Sequence, residues 1–127
     1  MELLLDTHTF LWAIGEPQLL SPRVRELLLN PGTRRWVSAI SLWEIAVKIQ
    51  ARKLVLPTEP RFYLEHARQL GASILSATAA HCLGVLELPL HHRDPFDRLL
   101  ISQARLEGLT LATRDREFAA YEVARLW

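Results

Sequence analysis

Leu3-Leu4-Leu5 is an apolar run with no polar residue inside it, stopped at once by Asp6-Thr7-His8. A strand that faces water on one side alternates apolar with polar residues. One without alternation is buried on both faces, as in a parallel sheet covered by helices. Leu109-Thr110-Leu111-Ala112-Thr113 has the same strand-like length and composition and is followed by Asp115. Between these runs the pattern changes to helical spacing with cap signals. It predicts helices over 7–14, 21–29, 41–53, 61–70, 76–84 and 95–107, further strands over 34–38 and 72–75, a helical turn over 115–119 and an edge strand over 122–126. Strands alternating with helices imply parallel pairing through right-handed crossovers. The expected architecture is α/β, a three-layer α/β/α sandwich on a mainly parallel five-stranded sheet. At 127 residues, half of them hydrophobic, residues 1–127 are expected to form a single domain.

The acids are placed within this frame. There are four aspartates, Asp6, Asp94, Asp97 and Asp115, against ten scattered glutamates. Asp6 and Asp115 each lie just past the C-terminal end of a predicted buried strand, where open α/β sheets bind ligands. Asp94-Pro95-Phe96-Asp97 opens the helix of 95–107, with Asp94 as cap, Pro95 at the first position and Asp97 in the first turn. Ser41-Leu42-Trp43-Glu44 has the form of a capping box, and Lys48 follows Glu44 by one turn. Capping and helix dipoles would account for each acid separately. Their convergence on one sheet edge would not be free. Two carboxylates about 4 Å apart repel by roughly 4 kcal/mol at an effective dielectric of about 20, so such a site protonates or binds a cation. Carboxylate and water oxygens suit Mg²⁺ or Mn²⁺.

The totals remove several classes. Cys82 is the only cysteine, which excludes an internal disulfide and a cysteine-rich metal site. No apolar run approaches the roughly 20 residues that span a bilayer, and the N-terminus carries no leader pattern. A cytoplasmic protein with no membrane contact is expected. The net charge of +1 announces no global attraction to nucleic acid. The cations are thirteen arginines and the two lysines Lys48 and Lys53. Arg93, Arg98, Arg114 and Arg116 flank the acids, where they would either draw phosphates or pair with the carboxylates. His8 adjoins Asp6, whereas His66, His81, His91 and His92 lack metal-ligand spacing. Trp12 and Trp43 are read as packing residues, with base stacking or contact with a partner as the other use.

Four segments in order, Leu3-Leu4-Leu5-Asp6-Thr7-His8, Ser38 through Lys48, Arg93-Asp94-Pro95-Phe96-Asp97-Arg98-Leu99-Leu100-Ile101 and Thr113-Arg114-Asp115-Arg116-Glu117-Phe118, resemble the motifs of PIN-domain ribonuclease toxins of the VapC type. The resemblance runs the length of the chain. It implies a small α/β/α sandwich, Mg²⁺-dependent endoribonuclease activity, a VapB-type antitoxin as partner of a type II toxin–antitoxin system, and a homodimer. By position, Asp6, Glu44, Asp97 and Asp115 match the acidic quartet and Asp94 an additional acid of the subgroup. Thr7, Ser41 and Thr113 match hydroxyl positions beside the acids. Lys48 matches a lysine that orients the glutamate or touches phosphate. Relatives carry a glycine after the helix that bears the glutamate, where this chain has Arg52 before Lys53-Leu54. Two other functions fit parts of the pattern. One is an aspartyl-phosphate phosphatase of haloacid-dehalogenase type, which wants a second aspartate where His8 stands. The other is a non-catalytic dimeric regulatory partner whose acids only cap helices.

Overall fold

In the computed structural model, which describes residues 1–127, five strands form one sheet in the order β3-β2-β1-β4-β5, every neighbouring pair parallel. The strands are β1 (Glu2–Leu5), β2 (Arg34–Ser38), β3 (Ala72–Leu75), β4 (Thr110–Ala112) and β5 (Arg125–Leu126). The expected strand run is buried on both sides. Leu3 and Leu5 face one core with Phe10, Val24, Val37 and Ile45, and Leu4 faces the other with Leu100, Ile101, Leu111 and Phe118. One strand thus feeds two hydrophobic layers, the physical content of a three-layer sandwich.

Six helices cover the sheet: α1 (Thr7–Gly15), α2 (Pro22–Leu29), α3 (Ala39–Gln50), α4 (Pro60–Gln69), α5 (Ala79–Gly84) and α6 (Pro95–Glu107). Residues of α1, α2, α3 and α4 build the first core, and those of α6 and of the 3₁₀ turn Arg116–Ala120 build the second. None is long and apolar enough to cross a membrane. The chain runs outward from β1 through β2 to β3, then returns to place β4 on the other side of β1. The crevice between the C-terminal ends of β1 and β4 is therefore the switch point at which such sheets take ligands. The Asp6 N–H donates to the Ala112 carbonyl at 3.2 Å, so the two strand ends are tied where they open.

Several boundaries differ from expectation. Helix α3 begins one turn earlier, capped by the Ser38 hydroxyl, which accepts from the Ile40 N–H at 3.0 Å; Ser41 is inside the helix and is no cap. The helix also stops at Gln50, because Arg52 takes a left-handed conformation with φ 58°. Helix α5 begins at Ala79 rather than at 76, capped by Thr78 in a reciprocal box with His81. Strand β5 is two residues long instead of five. Helix α6 follows its sequence signals at both ends, from Asp94 and Pro95 to the left-handed Gly108.

Candidate active site

Asp6 ends β1 and caps α1, its Oδ1 accepting the Thr9 N–H at 2.8 Å. Asp94 caps α6, its Oδ1 accepting the N–H groups of Phe96 at 2.8 Å and Asp97 at 3.2 Å. Asp115 caps the 3₁₀ turn Arg116–Ala120, its Oδ1 accepting the Glu117 N–H at 2.9 Å. The structural account of these acids is therefore true, and it uses one oxygen of each. Capping orients the carboxylate without consuming it. Three helix starts bring their positive ends to the same place, which favours negative charge there.

That place is a cleft of about 400 Å³ lined by Asp6, Thr7, His8, Trp12, Glu44, Lys48, His92, Asp94, Asp97, Arg114 and Asp115. Five carboxylates from four distant segments share it. Asp6 is 6 % exposed and Glu44 2 %. Glu44 is held by an ion pair with Lys48 one turn along α3 and by the Thr7 hydroxyl, which donates to its Oε1 and lies 3.0 Å from the Ser41 hydroxyl. The buried Ser41 thus serves a contact with α1 rather than a helix cap. The Thr113 hydroxyl accepts the Asp115 N–H at 3.1 Å.

The electrostatics record the crowding. Burial pushes the Asp97 carboxyl up to about 7, with Asp94 adding to the shift, His92 opposing it and Glu44 adding further. Burial also raises Asp6, against hydrogen bonds from Thr113 and Thr9. Lys48 loses to burial but is held above its ordinary value by its hydrogen bond and charge contact with Glu44, and by Asp94 and Asp97. These are the signs of a carboxylate group short of positive charge.

The donor chemistry fits a hard divalent cation. The oxygens are carboxylate and hydroxyl, no sulfur is near, and the cations within the cleft are already engaged at Glu44 and Asp97, apart from Arg114. The acids do not collapse into a tight cage. The three-residue group whose ligating atoms all lie within 4.8 Å of one another is His92, Asp115 and Glu117. Mg²⁺ is held through one or two carboxylates plus waters, so an open arrangement suits it better than an all-protein cage.

His92 and Glu117 are members of the site that spacing did not reveal. His92 Nε2 lies 2.8 Å from Asp97 Oδ2 and its Nδ1 lies 3.0 Å from Glu117 Oε2. The nearest signal was position: His92 stands two residues before the Asp94 cap, and Glu117 two after Asp115. Arg98, by contrast, is engaged inside the protein. It is 8 % exposed and its guanidinium donates to the carbonyls of Pro89 at 2.8 Å and Val85 at 3.2 Å, and to the Tyr121 hydroxyl at 3.2 Å. An arginine spent on carbonyls inside the protein is unavailable to phosphate. Arg93, Arg114 and Arg116 are exposed, and Arg114 lines the cleft.

Known proteins resemble the chain in sequence and in fold. Residues 3–124 match the PIN domain family model. Over 127 aligned positions the chain is 30% identical to ribonuclease VapC22 of Mycobacterium tuberculosis, covering 96% of this chain and 93% of that protein. Among solved structures, VapBC2 from Rickettsia felis, bound to a DNA fragment from its promoter, superposes with a TM-score of 0.73 at 18% identity, over 99% of this chain and 98% of that one. Mycobacterium tuberculosis VapC20, a toxin that cleaves the sarcin-ricin loop, gives 0.63 at 17% identity, over 96% of each chain.

Proposed function

This chain belongs to the PIN domain family, among proteins related to the VapC ribonucleases, and from that premise we propose that it is a Mg²⁺- or Mn²⁺-dependent endoribonuclease. It acts as the toxin of a type II toxin–antitoxin pair, inhibiting translation and growth until a VapB-type antitoxin binds it. The whole of residues 1–127 works as one catalytic domain, as a homodimer in the cytoplasm.

The observation that carries this reading is the shared cleft of Asp6, Glu44, Asp94, Asp97 and Asp115, in which burial and the neighbouring Asp94 push the Asp97 carboxyl up. Such a group is poised to exchange protons for a cation. Asp6, Asp97 and Asp115, with Glu44 and in part Asp94, would hold the metal. A bound divalent ion would supply a more acidic water and would neutralise charge on a phosphodiester. The chain's own side chains do the rest. Lys48 and Thr7 fix both oxygens of Glu44. Thr9 and Thr113 orient Asp6. Arg93, Arg114 and Arg116 are exposed cations that counter the cleft's own repulsion of RNA. Metal-assisted hydrolysis with 3′-oxygen departure leaves 5′-phosphate and 3′-hydroxyl ends.

Incubating the purified protein with total RNA, with Mg²⁺ or with EDTA, and mapping the new ends tests the proposal. Cuts that need the ion and vanish in Asp6→Asn support it. Cleavage at the wild-type rate by Asp6→Asn in EDTA overturns it. The phosphatase alternative still lacks a second aspartate at His8 and runs against the family assignment.

A further inference from the structure

Among the side chains around the cleft, Trp12 and Arg114 are not explained by holding acids or a cation. Trp12 contributes the one large apolar surface, and Arg114 is a cation that forms no ion pair with any carboxylate of the chain. Trp12 is half-buried, packed on the core beneath α1, with the Trp127 ring edge-on at 5.8 Å and His8 at 5.7 Å. These contacts hold the indole in place. The Arg114 guanidinium carbon stands over the ring, 6.0 Å from its centroid. That is the outer limit of a cation–π contact, so the indole face is covered but not closed. Arg114 is exposed, so little packing holds its side chain over the ring.

We infer that Trp12 and Arg114 form a nucleobase slot beside the acidic cleft, which takes an unpaired base of single-stranded RNA next to the phosphate to be cut. The inference rests on the nuclease reading and adds to it the two residues that seat a base beside the cut. The base stacks on the indole and the guanidinium covers its outer face. A base within a duplex is already stacked on both sides and has no free face to offer, so the slot selects loops and single strands. The indole binds by its surface and not by hydrogen bonds, so the slot sets the distance from a stacked base to the cut rather than a strict base identity. Trp12 and Arg114 are positioning residues; neither touches the reacting atoms.

Binding and cleavage are measured separately. In Ca²⁺, the protein is titrated with a fluorescein-labelled single-stranded oligoribonucleotide and with the same strand annealed to its complement, reading anisotropy for affinity and tryptophan emission for stacking. In wild type, the single strand quenches emission and the duplex does not. Trp12→Leu weakens single-strand binding roughly tenfold, and Trp12→Phe by less than about threefold. Trp12→Phe also loses most of the quench while still binding, a signature that a purely structural tryptophan would not give. Arg114→Gln weakens binding in the same direction. In Mg²⁺, Trp12→Leu raises KM by the factor seen in binding, with kcat held within a few-fold. Should Trp12→Leu lose its fold, the wild-type quench and its loss in Trp12→Phe decide the matter. An unchanged quench in Trp12→Phe, or wild-type binding and KM in Trp12→Leu and Arg114→Gln, overturns the slot even if the enzyme cuts RNA. Quenched binding without any cleavage leaves the slot standing and overturns the nuclease reading.

Discussion

His92 Nε2 lies 2.8 Å from Asp97 Oδ2, while the other nitrogen of the same ring reaches Glu117 at 3.0 Å. One imidazole thus ties the first turn of α6 to the turn after β4 where the cleft is most crowded. His92 is raised above its ordinary value: burial works against this, but its hydrogen bond and charge contact with Asp97, and the charges of Glu117 and Asp115, prevail.

These shifts fix the sign of a pH dependence. Asp97 is raised to about 7, and Asp6 and His92 are raised as well. In each case the folded protein holds a proton that the unfolded chain releases at lower pH. The stability this contributes is complete below the unfolded values and is lost as pH climbs through the folded ones. In EDTA, the melting temperature is expected to fall between about pH 5.5 and 8. A divalent ion must displace the Asp97 proton, so Mg²⁺ is expected to stabilise more at pH 8 than at pH 6. Melting curves on a pH and Mg²⁺ grid check both. A metal-free melting temperature that rises across this window contradicts the assignment.

Glu44 and Lys48 give a second test. Glu44 is 2 % exposed and Lys48 is its cation. Lys48→Met keeps most of the side-chain volume and leaves the carboxylate buried among other acids. Removing one partner of a buried pair costs about 3–5 kcal/mol, and less here because Lys48 is partly solvated, so a loss of about 2 kcal/mol in EDTA is expected. Because a bound cation replaces the missing charge, Mg²⁺ should recover more stability in Lys48→Met than in wild type. Equal Mg²⁺ shifts in the two proteins would place the ion away from Glu44.

Much of this arrangement was legible because its causes are local. Leu3-Leu4-Leu5 announces a strand buried on both faces, and Asp94-Pro95 with Gly108 brackets α6. Asp6 and Asp115 were legible through their strand ends. What escaped notice depends on contacts between distant segments. Ser38 and Ser41 are one turn apart and either could start α3; Thr7, 34 residues from Ser41, takes its hydroxyl and leaves the cap to Ser38. Arg98 sits in a charged motif that reads as a phosphate contact, and only the path of residues 85–89 past α6 supplies the carbonyls that bury it. His92 and Glu117 meet because the loop before α6 and the turn after β4 are brought together, which no spacing encodes.

Arg98 is expected to behave as a structural residue. Arg98→Met preserves the aliphatic stem but leaves the Pro89 and Val85 carbonyls without their donors in the segment that leads to His92. The expected loss is about 3 kcal/mol, near 10 °C in melting temperature for a chain of this size. Arg116→Met, on an exposed side chain, should change stability by less than about 0.5 kcal/mol while weakening RNA binding and flattening its salt dependence. Reversal of the two phenotypes would return Arg98 to the RNA-binding surface.

The left-handed Arg52 offers a change that acts on stability alone. Gly71 and Gly108, at φ 70° and 67°, follow α4 and α6, but after α3 the same kind of position is filled by Arg52 at φ 58°. An L-residue with a Cβ pays roughly 1–2 kcal/mol there, which glycine avoids. Glycine returns part of that gain because its unfolded chain is freer. Arg52→Gly is therefore expected to stabilise by up to about 1 kcal/mol, a few degrees in melting temperature. Gly108→Ala, with open space around a new Cβ but the same backbone strain, should lose a comparable amount. Arg52 does not line the cleft, so RNA cleavage by Arg52→Gly should match wild type. A lower melting temperature in Arg52→Gly would mean that the arginine side chain contributes more through its own packing than its backbone conformation costs.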